Sequence, residues 1–223
     1  MAVKLLIFSD PHLVGQQSDA RFAACLSQAL ERHGDAAHIL VAGDLCEEPG
    51  AYPLLAEHLV ATGLPVTCLM GNVDDRAAFA AAMPGVTPGF QQATLSFGRH
   101  LVITLDTLDE DPSAAPSGVL CDARLSDLEA RLKAAEGQII TLVMHHPPAP
   151  FGMPFVDPIG LRTGSEVLRL LERWATMTVF VPAGGGVGTR LRRNSGRSAR
   201  PSRSDRRPMS RISVCARPNA KSA

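Results

Sequence analysis

The chain has 223 residues, with 22 basic and 22 acidic side chains and a formal net charge of zero. That length is enough for one large domain with a sizeable core, and we expect a single domain. The charges are unevenly distributed along the chain, because the segment from Arg190 onward contains ten Arg and one Lys but only one Asp. An acidic body with a strongly basic end indicates either a nucleic-acid-binding tail or a segment foreign to the domain.

Cysteine usage and hydropathy exclude two classes of protein. The five cysteines are scattered, odd in number and without any Cys-x-x-Cys pair, so they predict neither a disulfide framework nor a zinc knuckle. The sequence has no secretory signal pattern at its start and no apolar run of about 18 residues that would cross a membrane. We therefore expect a cytoplasmic protein without membrane contact.

The first half of the chain alternates short apolar runs with amphipathic or Ala-rich segments. Such apolar runs predict buried strands, and apolar positions at three-and-four spacing predict helices. The expected elements, in order, are a strand at 3–8, a helix at 18–34, a strand at 38–42, a helix at 53–61, a strand at 65–70 and a helix at 76–83. Ser18 is expected to cap the first of these helices.

The middle of the chain changes character, because two apolar runs flank Gly98-Arg99-His100 and predict a β-hairpin. The remaining expected elements are strands at 93–97 and 101–105, a helix that Asp122 opens, a strand at 139–144, a helix at 164–174 and a strand at 178–181. Strands that alternate with helices, together with a hairpin, predict an α/β fold with mixed sheets.

Four of the predicted strands stop abruptly in polar residues of the kind that bind metals. These endings are Asp10-Pro11-His12, Gly43-Asp44, Gly71-Asn72 and His145-His146. Asp10 and His12 lie two apart in an extended segment, so their side chains point the same way. Ligands of open α/β sheets collect at the carboxyl ends of strands, which indicates that the four endings form one site. Taken alone, Asp10 and His12 also fit a turn residue and a surface histidine.

The motifs Asp-x-His, Gly-Asp, Gly-Asn-x-Asp and His-His-Pro-Pro, in this order and spacing, resemble those of the calcineurin-like metallophosphoesterases. The chain looks most similar to the class III branch, the bacterial cyclic-nucleotide and glycerophosphodiester phosphodiesterases. The resemblance covers about residues 1–182. It implies two facing mixed β-sheets flanked by helices, and metal-dependent hydrolysis of cyclic nucleotides or glycerophosphodiesters at a pair of divalent ions, which are Mn, Fe or Zn.

The resemblance also implies a role for each candidate ligand. Asp44 would bridge the two ions, Asp10 and His12 would bind the first ion, and Asn72 and His145 would bind the second. Simpler roles remain open, because Asp44 also fits a capping residue and Asn72 a left-handed turn residue. His146 fits a ligand geometrically as well as His145 does. We expect ordinary surface or core roles for the other histidines, which are His33, His38, His58 and His100.

Two departures from the family pattern point to impaired activity. Val73 stands where the family has a histidine that assists the phosphate or the leaving group, so no catalytic residue is assigned. The family's Gly-His-x-His is replaced by the glycine-rich stretch at 181–188, and no histidine follows His146. Each ion would lack one protein ligand, so a single retained ion is an alternative. A second hypothesis is an inactive member that binds a metal or a phosphorylated ligand. No oligomeric state is predicted.

The composition of residues 183–223 differs from that of the domain at 1–182, which we therefore expect to be incomplete at its C-terminal side. Arg, Ser and Pro replace the aliphatic pattern, and too little apolar surface remains to offset the entropy of ordering. We predict a disordered segment that is an out-of-frame reading. One choice of codons turns 202–215 into Ala-Ile-Gly-Pro-Thr-Pro-Asp-Val-Ala-His-Gln. The alternative, which we favour less, is a genuine basic tail that binds nucleic acid.

Overall fold

The computed structural model describes residues 3–111, 113, 116–150, 152, 154, 157–172, 177–183, 187–192 and 213–214. Nine strands and five α-helices lie in this part of the chain. In order they are β1 Leu5–Phe8, α1 Gln16–Arg32, β2 His38–Ala42, α2 Tyr52–Ala61, β3 Val66–Leu69, α3 Arg76–Ala82, β4 Thr94–Phe97, β5 His100–Leu105, α4 Asp122–Ala134, β6 Ile139–Met144, α5 Gly164–Leu171, β7 Met177–Ala183, β8 Val187–Arg192 and β9 Ser213–Val214. The predicted order of elements is confirmed up to β7.

The capping residues Gly15 and Asp75 mark where α1 and α3 begin. The Ser18 hydroxyl accepts hydrogen bonds from the backbone N–H groups of Val14 and Gly15, at 2.9 and 3.2 Å. Ser18 lies in the first turn, however, and Gly15 is the residue that caps α1, so the predicted cap position is wrong by three residues. Asp75 caps α3, because its carboxylate accepts the Ala78 N–H at 2.9 Å.

The first sheet has the strand order β3-β2-β1-β9, and its described strands run parallel. Leu5 of β1 pairs with His38 of β2, and this register runs through to Phe8 and Val41. All residues of β1 and β2 are buried. Strands covered on both faces need continuous apolar sequence, which is why these two runs lack polar alternation.

The second sheet has the strand order β4-β5-β6-β7-β8 and is mixed. The predicted hairpin is present as the antiparallel pair β4 and β5. β6 then joins β5 in parallel, β7 joins β6 in parallel, and β8 runs antiparallel to β7 at the edge. Helix α4 connects β5 to β6, as parallel neighbours require a crossover connection.

Three apolar clusters fix the order of the layers. Between the sheets, side chains of both pack together, including Ile7 and Leu40 from the first and Val102 and Val143 from the second. The outer face of the first sheet packs on α1, α2 and α3, and that of the second sheet packs on α4 and α5. The predicted α/β fold, with two facing sheets flanked by helices, is confirmed.

Strands β8 and β9 lie within the segment that we expected to be disordered. The prediction is wrong for Val187–Arg192, which pairs with β7 from Thr178 to Ala183, and for Ser213–Val214, which pairs with β1. The edge of β7 offers backbone hydrogen-bonding partners, and Val187, Thr189 and Leu191 alternate in the sequence with Gly or Arg. The rest of the predicted disordered segment, 184–186, 193–212 and 215–223, lies outside the described residues.

Within the described part of the chain, no helix combines the length and the apolar character needed to cross a membrane.

Candidate metal centre

The backbone ladder between β1 and β2 continues past the strand ends and fixes the loops that follow them. The N–H of Asp10 donates to the carbonyl of Gly43 at 3.1 Å, and the N–H of His12 donates to that of Asp44 at 3.0 Å. The N–H of Leu13 donates to the carbonyl of Leu45 at 3.0 Å. Residues 10–13 and 43–45 therefore stay in register although they are no longer strands.

This register brings three predicted ligands together at the carboxyl edge of the first sheet. Ligand atoms of Asp10, His12 and Asp44 all lie within 4.8 Å of one another. His12 Nε2 is 3.5 Å from one oxygen of Asp44, Oδ2, and His145 Nε2 is 3.4 Å from the other, Oδ1. The Asp44 carboxylate thus lies between two imidazoles that come from different sheets.

The three clustered residues share an unusual backbone conformation. Asp10, His12 and Asp44 have φ angles of 53°, 47° and 51°, and they are the non-glycine residues with positive φ in the described part of the chain. Side chains are disfavoured in this region, at a cost on the order of 1–3 kcal/mol each. Such strain persists where surrounding structure enforces it, and here the continued ladder does so.

Two glycines allow the loops to approach this closely. A Cβ atom on Gly43 would lie within 3.0 Å of the His145 ring, and one on Gly71 would lie within 3.0 Å of the Asp44 carboxylate and backbone nitrogen. The backbone at the end of β3 therefore packs directly against Asp44. Any side chain at either position would push a candidate ligand away.

Charges inside the cluster are strongly coupled. Burial raises the pKa of Asp44, but the hydrogen bond and the charge of His145 outweigh this effect, and the pKa lies below its usual range. Burial lowers the pKa of His145, while the hydrogen bond to Asp44 and the charges of Asp44 and Asp10 raise it to about 9. The two carboxylates thus attract positive charge to this point, a proton when no other cation is bound.

The donor set fits a divalent cation. Asp10 Oδ2 is a buried carboxylate oxygen without a hydrogen-bond partner among the described residues, an arrangement that is costly unless a cation binds there. Two carboxylates with imidazole nitrogens are a mixture of oxygen and nitrogen ligands that suits Mn, Fe or Zn. Three such ligands leave room for a substrate or solvent ligand.

The two residues after Gly71 differ in what they contribute. The backbone N–H of Val73 donates to Asp44 Oδ1 at 3.3 Å, so this residue contacts the cluster through its main chain. Asn72 is half-buried at the end of β3, and within the described residues no hydrogen bond joins its side chain to the cluster. Its role as a ligand stays a prediction.

The structure favours His145 over His146 as the ligand. His146 is 2% exposed, and its Nε2 donates to the carbonyl of Pro116 at 3.2 Å. Its Nδ1 then accepts from the Thr107 hydroxyl at 2.7 Å, so both ring nitrogens are engaged. Burial, together with the charge of His145, lowers the pKa of His146 to about 3. His146 is a neutral, fixed neighbour of the site.

Asp74 has a structural role that we did not assign from the sequence. Its buried carboxylate accepts hydrogen bonds from the N–H groups of Leu45 and Gly71, both at 2.8 Å, and from the Tyr52 hydroxyl at 3.0 Å. It therefore ties the loop after β2 to the loop after β3. Burial raises the pKa of Asp74 to about 6, against the lowering effect of the Gly71 hydrogen bond. The sequence feature that could have indicated this role is the position of Asp74 in the Gly-Asn-x-Asp motif.

Residues 3–175 match the family model of the calcineurin-like phosphoesterases, and the chain belongs to this family of hydrolases. A probable cyclic nucleotide phosphodiesterase of Rhodopseudomonas palustris is 38% identical over 187 residues, which cover 77% of this chain and 67% of that protein. The glycerophosphodiester phosphodiesterase GpdQ of Enterobacter lignolyticus is 29% identical over 148 residues, which cover 62% of this chain and 52% of that protein. Such relatives support the class III branch.

The chain spans about two thirds of the length of one of these relatives, 67%, and about half of the other, 52%. Among solved structures, a dimetal phosphatase from Danio rerio superposes with a TM-score of 0.64 at 13% identity. That match covers 79% of this chain and 80% of the phosphatase. At this low identity the likeness supports the fold and says nothing of the substrate.

Proposed function

We propose that this chain is a cytoplasmic, metal-dependent phosphodiesterase. The convergence of Asp10, His12 and Asp44 at the carboxyl ends of two parallel strands supports this proposal most directly. Asp10 Oδ2 has no hydrogen-bond partner among the described residues, which supports a cation at this position rather than a closed hydrogen-bond network. The cysteines of the described part are free thiols, in keeping with a reducing compartment.

In this proposal two divalent ions would share Asp44, while Asp10 and His12 would hold the first ion and Asn72 and His145 would hold the second. The positions of the two imidazoles on either side of the Asp44 carboxylate support the bridging role. When bound, divalent ions of this kind supply Lewis-acid polarisation of the phosphoryl group and a nucleophile near neutral pH. Because a glycine-rich stretch replaces the family's Gly-His-x-His motif in this chain, a single bound ion is the alternative stoichiometry.

The chain's own residues hold the bridging carboxylate ready for a cation. The depressed pKa of Asp44 keeps this group ionised, and the Val73 N–H and the backbone around Gly71 fix its orientation. Asp10, His12 and Asp44 all have positive φ angles, and their ligand atoms lie within 4.8 Å of one another. Such preorganisation lowers the cost of assembling the site when an anionic substrate arrives.

The substrate class that we propose is a small phosphodiester, either a cyclic nucleotide or a glycerophosphodiester. The names of the relatives from Rhodopseudomonas palustris and Enterobacter lignolyticus support these two compounds. We propose no nucleic-acid partner, because the basic residues from Arg190 onward belong to the segment that we propose to be out-of-frame.

A second candidate function is that of an inactive family member that binds a metal or a phosphorylated ligand. Val73 favours this alternative, since its side chain can neither donate a proton nor hold charge, while its main chain lies against Asp44. The ligand trio does not depend on Val73, so metal binding and turnover are separable in this chain.

We also propose that residues 1–182 form the phosphoesterase domain and that residues 183–223 are an out-of-frame reading of its C-terminal part. The family match ends at residue 175, and the later composition supports the idea. Sequencing of the encoding locus tests it. A one-base correction that restores Gly-His-x-His after Val181 would establish the proposal. An uninterrupted frame, with a matching intact protein mass, would overturn it in favour of a genuine basic tail.

Metal analysis after dialysis tests the site. The parent chain is expected to retain at least one equivalent of Mn, Fe or Zn, and Asp44→Ala is expected to retain none, because it removes the shared ligand. Asp35→Ala is the matched control, since this carboxylate is exposed and forms its ion pair with Lys4 at the surface, away from the candidate ligands. Equal metal content in the parent and Asp44→Ala proteins would disprove the bridging role.

Turnover separates the two candidate functions. The metal-loaded protein is assayed with a chromogenic phosphodiester, a cyclic nucleotide and a glycerophosphodiester. Turnover that Asp44→Ala abolishes supports the phosphodiesterase. Stoichiometric metal without turnover of any of the three supports the inactive binding protein. A chain without bound metal contradicts the phosphodiesterase and the metal-binding form of the second candidate.

A further inference from the structure

Beyond the candidate ligands, one carboxylate contacts the far side of the His12 ring. Glu47 Oε1 lies 2.6 Å from His12 Nδ1, whereas Nε2 of the same ring points toward Asp44. We propose that Glu47 is a positioning residue, which holds His12 in the orientation and tautomer that a metal ion requires. This inference rests on the proposed metal site, and Glu47 lies outside the four sequence motifs named above.

The chemistry of the contact determines where the proton of the ring lies. An ionised carboxylate only accepts hydrogen bonds, so Nδ1 of His12 must carry the hydrogen that it donates to Glu47. In the neutral imidazole the other nitrogen, Nε2, then has a free lone pair. That lone pair is on the side of Asp44 and Asp10, where the ligand atoms converge.

The backbone places Glu47 opposite His12 independently of the side-chain contact. The N–H of Glu47 donates to the carbonyl of Leu13 at 2.9 Å, and Leu13 forms a parallel β-bridge with Cys46. These bonds extend the ladder that fixes Asp10 and His12. Because both main chains are held, the two side chains are kept within reach of each other.

The contact has little value for the stability of the fold. The side chains of His12 and Glu47 are 35% and 41% exposed, and ion pairs at such exposed positions contribute little to folding stability. Partners of metal-ligating histidines matter more for the metal, since their loss typically lowers affinity on the order of 10- to 100-fold. The proposed role can therefore be tested without unfolding the protein.

The test compares the parent with Glu47→Ala, Glu47→Gln and a control, Glu48→Ala. Glu48 is the exposed neighbour of Glu47, and its side chain makes no capping hydrogen bond. Mn or Zn affinity is measured by calorimetry, and the tautomer of neutral His12 is measured by nitrogen NMR on metal-free protein. Urea unfolding shows whether each variant is folded.

We expect Glu47→Ala to lower metal affinity about 10- to 100-fold and to shift His12 away from the Nδ1–H tautomer. Glu47→Gln should restore most of both properties, because its amide oxygen still accepts the hydrogen bond. Glu48→Ala should match the parent. An unchanged tautomer in Glu47→Ala would overturn the inference, and so would an affinity within twofold of the parent.

The two measurements distinguish failure of this inference from failure of the proposed function. A parent chain that binds no metal contradicts the proposed function, and the NMR result on metal-free protein then decides the role of Glu47 by itself. A parent that binds metal while His12 lacks the Nδ1–H tautomer contradicts only the role of Glu47.

Discussion

Replacement of Gly71 by alanine tests whether close backbone packing positions the Asp44 carboxylate. A Cβ atom at this position would lie 2.9 Å from Asp44 Cγ and within 3.0 Å of both Oδ1 and the backbone nitrogen of Asp44. Relief of these contacts to ordinary carbon–oxygen separations requires a shift on the order of 1 Å. Rotation of a side chain cannot supply that shift, because one of the crowded atoms belongs to the backbone.

Gly71→Ala is expected to lower both the stability of the fold and the metal affinity of the site. Overpacking of a tight region typically destabilises a protein by about 1–3 kcal/mol, and we expect Gly71→Ala to lie in this range. Metal sites tolerate ligand displacements of only about 0.2 Å, so a shift near 1 Å should remove most of the metal affinity. Any diesterase activity should fall by on the order of 100-fold for the same reason.

Urea unfolding of the metal-free protein and calorimetric metal titration measure the two effects. Gly50→Ala is the matched control, since no atom lies within 4 Å of an added Cβ there. We expect this control to leave metal affinity unchanged. A metal affinity of Gly71→Ala within twofold of the parent would refute the argument that the backbone at Gly71 sets the position of Asp44.

Three further predictions concern other parts of the molecule. Val73→His should raise any diesterase rate of the metal-loaded protein by on the order of 100-fold, because a positioned acid or charged partner is restored. Unchanged turnover of the metal-loaded variant would count against a role of the histidine in assisting the phosphate or the leaving group. Asp106→Ala should lower the free energy of unfolding by about 3 kcal/mol, since the buried guanidinium of Arg76 loses both hydrogen bonds to this carboxylate, at 2.8 Å, and keeps its ion pair with the exposed Glu110. Urea midpoints measure this loss, and less than about 1 kcal/mol would contradict it. Burial lowers the pKa of His38, so the folded state disfavours protonation of this side chain. The free energy of unfolding should therefore decrease as the pH falls below the usual histidine pKa, by up to about 1.4 kcal/mol per pH unit. His38→Gln should reduce this dependence on pH, and an unchanged slope would show that other groups cause it.

Local sequence determined most of the elements and the positions of the candidate ligands. Buried strands such as β2 need an unbroken apolar run, and the run 38–42 has the same bounds in the structure. Ligand-type residues follow such runs at once, so the rule that sites lie at carboxyl ends of strands predicted that Asp10, His12, Asp44 and His145 lie close together, as they do. Their role as metal ligands stays a prediction.

Contacts between distant segments decided the rest. The choice between His145 and His146 depends on Thr107, which is 39 residues away from His146 and engages its ring. The role of Asp74 depends on backbone groups nearly 30 residues earlier, and Glu47 reaches His12 across 35 residues. No local pattern encodes such pairings, because each requires two loops that only the assembled sheets bring together.

Strand β8 is a second case in which the sequence alone did not predict the structure. The sequence 187–192 has too little apolar surface to order itself, which is why its composition predicted disorder. In the folded chain the edge of β7 supplies a backbone template from Thr178 to Ala183, and the segment pairs with it. Composition determines what a segment can stabilise alone, whereas only tertiary structure determines whether a hydrogen-bonding partner lies beside it.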